Sequence, residues 1–127
     1  MKIEIDVAWN GQEAVDQYQK NYIKECNNLD CKRLYKLIIM DIGMPIKDGY
    51  EASKEILQLE KNLNKMALKD ETIKNEKCEI IALTSFSDKT TNDICKKIGM
   101  KEVLIKPISF NELLRIVLMY VFNLSYA

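Results

Sequence analysis

The chain has 127 residues, enough for one domain with a single substantial core. Lysine plus arginine and aspartate plus glutamate both total 19, so net charge is near zero, and no basic stripe points to nucleic acid as a partner. Histidine is absent, which excludes Ser–His and Cys–His nucleophiles, histidine-held metals and any phosphohistidine in this chain.

From the start, "KIEIDVAW" alternates, with Ile3, Ile5, Val7 and Trp9 on one face and Lys2, Glu4 and Asp6 on the other. That pattern predicts a half-exposed strand at a sheet edge. Asn10-Gly11 is expected to turn the chain, and "QEAVDQYQKNYIKE" follows as a helix with Ala14, Val15, Tyr18 and Ile23 on one side. "CNNLDCKR", residues 26–33, is a polar connector. "LYKLIIM" is apolar without alternation, as in a strand covered on both faces. It stops at Asp41, and a loop leads to a helix from about Tyr50 with Ala52, Ile56, Leu57 and Leu63 apolar. The stretch at about 61–77 is rich in lysine and asparagine and reads as an extended, mobile insertion within a single domain spanning 1–127. "EIIALT" is a second buried strand, "DKTTNDICKKIGM" a helix ending near Gly99, "EVLIK" a third strand and "NELLRIVLMYVF" the last helix. Strands alternating with helices imply parallel pairing through right-handed crossovers. The longest apolar stretch, Ile116 to Phe122, is far below the ~20 residues of a membrane span. No secretory signal is read at the start, so Cys26, Cys31, Cys78 and Cys95 are expected as free thiols in an intracellular chain.

Each buried strand ends on a polar residue: Asp41, Thr84 and Lys106. In an open parallel sheet the carboxyl ends of the strands share one edge, where ligands bind. A carboxylate, a hydroxyl and an ammonium should therefore converge there. Asp41 is then able to attack phosphorus, Lys106 to neutralise a phosphoryl oxygen and Thr84 to hydrogen-bond another.

At these residues the sequence resembles the receiver domains of two-component response regulators, most like those appended to hybrid histidine kinases. The resemblance rests on "NGQEAV" (10–15), "LIIMDIGMPIKDGYEA" (37–52), "IIALTS" (80–85), "GMKEVLIKPIS" (99–109) and the last helix. It implies a flavodoxin-like, doubly wound parallel sheet and a regulatory domain, not an enzyme, in phosphorelay signal transduction. By the resemblance, Asp41 accepts a phosphoryl group from a phosphohistidine. Lys106 binds that group, Thr84 moves toward it, and Pro45, Gly49 and Pro107 shape the loops, with Lys106-Pro107 often cis. Asp41 and the Gly43 carbonyl would help hold Mg2+. The implied partner is a histidine kinase or phosphotransfer protein, and the implied place is the cytoplasm or the cytoplasmic side of a membrane kinase.

The sequence also departs from the family. Receivers open with a buried strand ending in two adjacent acids and then a first helix, whereas "KIEIDVAW" resembles the second strand. The family's strand order is 2-1-3-4-5, so the central slot is expected to be taken by the first segment, filled by a partner, or left as a source of instability. The acid pair supplies Mg2+ ligands in the family, so its absence makes Mg2+ doubtful and phosphorylation weak for this chain alone. Asp48 is a loop residue in the family, not a ligand. Val103 stands where many receivers carry a ring. The apolar flank of the last helix suggests self-association. An alternative reading is a pseudo-receiver, an interaction module with impaired chemistry. An aspartyl phosphatase is discounted, since it needs an acid where Gly43 stands.

Overall fold

The computed structural model describes residues 3–26, 35–44, 46–67, 78–86 and 88–124. Its elements in chain order are α1 (Gly11–Cys26), β1 (Leu37–Asp41), α2 (Gly49–Ala67), β2 (Glu79–Thr84), α3 (Lys89–Ile98), β3 (Glu102–Ile105) and α4 (Phe110–Tyr120). The strands form one parallel sheet in the order β1-β2-β3. Leu37 pairs with Glu79 and Asp41 with Leu83, while Ile81 pairs with Glu102 and Thr84 with Ile105. This is the parallel sheet with crossover helices expected of a receiver.

β2 is central and apolar along both faces because both faces are covered. Ile80 and Ala82 look toward Val15, Tyr18, Ala52, Ile56 and Cys95, so α1, α2 and α3 share one face. Ile81 looks the other way, toward Leu104 and Ile116, where α4 packs. Each fully buried isoleucine contributes about 1.5–3 kcal/mol through removal from water. α4 is also clamped to β3: Arg115 Nη2 and Nη1 donate to Glu102 Oε1 and Oε2 at 2.7 and 3.1 Å, and the Tyr120 hydroxyl donates to Glu102 Oε2. Burial and the Glu102 carboxylate push the Tyr120 hydroxyl up to about 12, so it stays protonated as a donor.

The helices begin on polar caps that satisfy free backbone donors. Asn10 Oδ1 accepts from Glu13 N at 2.9 Å, Asp48 Oδ1 from Glu51 N at 2.9 Å, Asp88 Oδ1 from Thr91 N at 2.7 Å and Ser109 Oγ from Glu112 N at 3.1 Å. Asn10 thus caps α1 as well as turning the chain. α3 ends at Gly99, whose φ of 109° is a left-handed stop that glycine adopts without steric cost.

Two expectations are corrected. The strand predicted over "KIEIDVAW" does not form: residues 3–8 are irregular, and Ile5, Val7 and Trp9 are exposed. Alternation encodes only a surface pattern, and a strand also needs a ladder partner, which no described strand offers this segment. Side chains hold it instead, with Gln17 Nε2 donating to the Val7 carbonyl at 2.9 Å and the Tyr35 hydroxyl to Asp6. The segment has not moved beside β1, which among the described residues has a strand neighbour on one side only. The second correction is that the segment expected to be extended from about 61 begins as helix, because α2 continues to Ala67. Lysine, leucine, methionine and alanine are good helix formers, and their propensity outweighs the polar look of the stretch. The rest of that segment, 68–77, lies outside the described residues.

Gly49 starts α2 directly over the end of β1. Its N–H donates to the Ile42 carbonyl at 3.2 Å, and a Cβ there would lie 2.5 Å from the Asp41 carbonyl oxygen and 2.6 Å from Ile42 Cα. Backbone atoms cannot yield as a flexible side chain would. Gly49→Ala is expected to lower stability by about 1–3 kcal/mol in urea denaturation, although alanine is the better helix former.

Candidate functional site

The parallel register carries the three strand ends to one edge. The ladder continues past the strands, with Ile42 N donating to the Leu83 carbonyl at 3.1 Å and Lys106 N to the Thr84 carbonyl at 2.7 Å. Lys106 and Asp41, 65 residues apart in sequence, meet there: Lys106 Nζ lies 2.6 Å from Asp41 Oδ2. The other carboxylate oxygen, Oδ1, accepts from Gly43 N at 3.0 Å. Partial burial pushes the Asp41 carboxyl upward. The Lys106 hydrogen bond, the Gly43 N–H and the Lys106 charge outweigh it and hold the group below the usual carboxylate range. Asp41 is therefore ionised and open to approach, its side chain being 36% exposed.

Thr84 is buried at the end of β2. Its hydroxyl donates to the Phe86 carbonyl at 2.8 Å and accepts from Phe86 N at 3.2 Å, so it is held by its own loop. The bond between Lys106 and Pro107 is cis. Val103, at the position where many receivers carry a ring, packs beside the core under α1, α2 and α3.

The loop between β1 and α2 rises from Asp41 and is pinned on its far side. The Lys47 carbonyl accepts from Gly11 N at 3.0 Å, and Lys47 Nζ bridges to Glu55 Oε2 at 2.5 Å. Between these anchors and Asp41 stands Ile46, with φ of 69° and 84% exposure. A left-handed backbone costs an L-residue roughly 1–2 kcal/mol, and a β-branched side chain is among the poorest choices for it.

Asp41, Gly43, Gly49, Thr84, Lys106 and Pro107 thus all lie at this edge, while Pro45 lies outside the described residues. The sequence reading missed that the Gly43 N–H serves Asp41 and that Asp48 caps α2. The second was signalled by an aspartate three residues before Glu51. Asp41 and the Gly43 carbonyl are hard oxygen donors of the kind Mg2+ takes, yet among the described residues no group of three His, Cys, Asp or Glu side chains could hold a metal ion. By themselves these two donors do not make up a magnesium site.

Parallel strands joined through helices, with an aspartate, a lysine and a threonine at the carboxyl edge, define an open α/β domain with a polar strand-end site. The chain belongs to the response regulator receiver domain family, whose pattern it matches over residues 1–118. Receiver domains are regulatory phosphoacceptor domains, not enzymes in the usual sense. The chain is 35% identical over 109 residues to hybrid signal transduction histidine kinase B of Dictyostelium discoideum, a match covering 86% of this chain and 5% of that protein. The chain spans 5–13% of the length of such relatives. Among solved structures, the receiver domain of Ssk1 from Saccharomyces cerevisiae, crystallised with the histidine phosphotransfer protein Ypd1, superposes with a TM-score of 0.71 at 27% identity, covering 93% of this chain and 71% of that one. The receiver domain of the histidine kinase CKI1 from Arabidopsis thaliana, complexed with Mg2+, gives 0.66 at 26% identity, covering 84% and 66%. These findings do not favour an interaction module that has lost its chemistry. Among the described residues no helix is long and apolar enough to cross a membrane.

The depressed Asp41 carboxyl has a testable sign. Because its folded value lies below its unfolded one, the Lys106 pair stabilises the fold above the unfolded carboxylate pKa, and that stability is lost as pH falls through the folded value. The pair is over a third exposed, so the contribution is at most about 1 kcal/mol. In a carboxyl-carbon NMR titration, Asp41 should stay ionised below the usual carboxylate range, and in Lys106→Ala its midpoint should rise toward the ordinary value.

Proposed function

We propose that this chain is a phosphorelay receiver that accepts a phosphoryl group on Asp41 from the phosphohistidine of a histidine kinase or a histidine phosphotransfer protein. The observation that carries the reading is the 2.6 Å pairing of Lys106 Nζ with Asp41 Oδ2 at an open sheet edge. An Asp41 oxygen attacks phosphorus, forming the O–P bond of an acyl phosphate. The P–N bond breaks, and the donor's histidine nitrogen keeps its electron pair and takes up a proton. Lys106 then has a phosphoryl oxygen to neutralise where it now holds the carboxylate, a preorganised cation at the site of developing charge. Thr84 is one residue beyond the strand partner of Asp41, and its hydroxyl would exchange Phe86 for a phosphoryl oxygen.

Magnesium is the cofactor the family implies, and when bound it supplies charge neutralisation of phosphoryl oxygens. Asp41 and the Gly43 carbonyl would contribute two of its oxygens, and the further carboxylates would come from outside the described residues. We place the chain in the cytoplasm, with the exposed flank of α4 around Leu113 and Leu114 as the face for self-association.

Intact mass after incubation with acetyl phosphate and Mg2+ tests the acceptor. The expected result is a gain of one phosphoryl group, absent in Asp41→Asn, and slowed in Lys106→Ala by about 10²-fold or more, as when one preorganised charge-stabilising donor is removed. A folded wild-type chain that gains no mass would overturn the reading.

A further inference from the structure

We propose that Ile46 is the apolar contact on which a phosphohistidine-bearing protein seats itself over Asp41. The inference rests on the acceptor reading above and adds the residue that selects a protein donor.

Folding does not account for Ile46. Its φ of 69° is one that glycine or asparagine adopts with less strain, and its 84% exposure leaves little apolar surface buried to offset the strain. On its C-terminal side the backbone is anchored. The next residue, Lys47, is tied to α1 through its carbonyl and to α2 through its ammonium, and Gly49 N closes the loop base on the Ile42 carbonyl. The side chain is therefore presented beside an anchored backbone residue, which lowers the ordering cost of a contact made there.

Its position names the occupant. A donor histidine must bring its phosphorus to bonding distance of an Asp41 oxygen, so the protein carrying it must cover the loop that rises from Asp41. Other exposed apolar side chains share that edge: Phe86 just after Thr84, and Ile105 just before Lys106. The carboxylate at this edge is already paired with an ammonium, so the two charges offset each other. Apolar contact at these exposed side chains is then available as a source of affinity. The fitting partner is a protein whose phosphohistidine sits on an apolar surface, and a small phosphodonor would gain nothing from Ile46.

Transfer to the full chain from phosphorylated Ypd1 and from acetyl phosphate, for wild type, Ile46→Asn and Ile46→Leu, tests this. Asparagine accepts the left-handed backbone but removes the apolar group, and leucine keeps the apolar group. The expected result for Ile46→Asn is a fall in transfer from Ypd1 of about tenfold, the effect of roughly one apolar contact, with labelling by acetyl phosphate within about twofold of wild type. Ile46→Leu should retain most of the Ypd1 rate. Equal losses with both donors would make Ile46 a loop-geometry residue and overturn the proposal, as would no loss with either. Wild-type labelling by acetyl phosphate without transfer from Ypd1 would overturn it too. Labelling of wild type by neither donor would overturn the acceptor reading itself, a distinguishable result.

Discussion

Pairing of β2 between β1 and β3, in parallel and in one register, is the constraint from which the site follows. Because all three strands run the same way, their last residues face the same solvent edge, and the ladder bonds past the strand ends keep Ile42, Leu83, Thr84 and Lys106 level. A β2 running antiparallel to both neighbours would have sent Thr84 to the end opposite Asp41 and Lys106. The two-sided core makes the register durable. A one-residue slip of β2 would turn Ile80 and Ala82 away from α1, α2 and α3 and carry Ile81 out of the α4 side.

Much of this was legible in the sequence because the informative features are local or repeat three times. Unbroken apolar runs at 37–40, 80–83 and 103–105 mark strands covered on both sides, and each ends on a residue with chemistry. Gly99 ends its helix with a residue type suited to the left-handed backbone there. What was not legible depends on partners far away in the chain. The segment from Ile3 to Trp9 has the alternation of a strand, but pairing is a property of two segments and only one was in view. The extension of α2 to Ala67 was hidden by composition: lysine and asparagine suggest a loop when counted together, though lysine is a good helix former.

The site itself divides the same way. Asp41, Thr84 and Lys106 could be named from strand ends, but the double use of Gly43 and Gly49 could not. Gly43 supplies an N–H to the carboxylate, and Gly49 lets the helix start press against the Asp41 backbone. Both roles are matters of backbone approach, which a sequence shows only as the presence of glycine. The left-handed backbone of Ile46 is the extreme case, since isoleucine is a residue from which no such conformation would be inferred.

The Glu102 clamp bears on how α4 is seated against the sheet. Arg115 and Tyr120, spaced more than one helical turn apart, both hold the first residue of β3, so α4 is fastened to that strand at two points along its axis. A helix fixed at two points cannot roll about its own axis without breaking a charge-assisted bond. The opposite end of β3 leads into Lys106 and the cis bond to Pro107. The residue that holds the helix and the residue that faces Asp41 thus stand at the two ends of β3, so the seating of α4 and the placement of Lys106 share one backbone element.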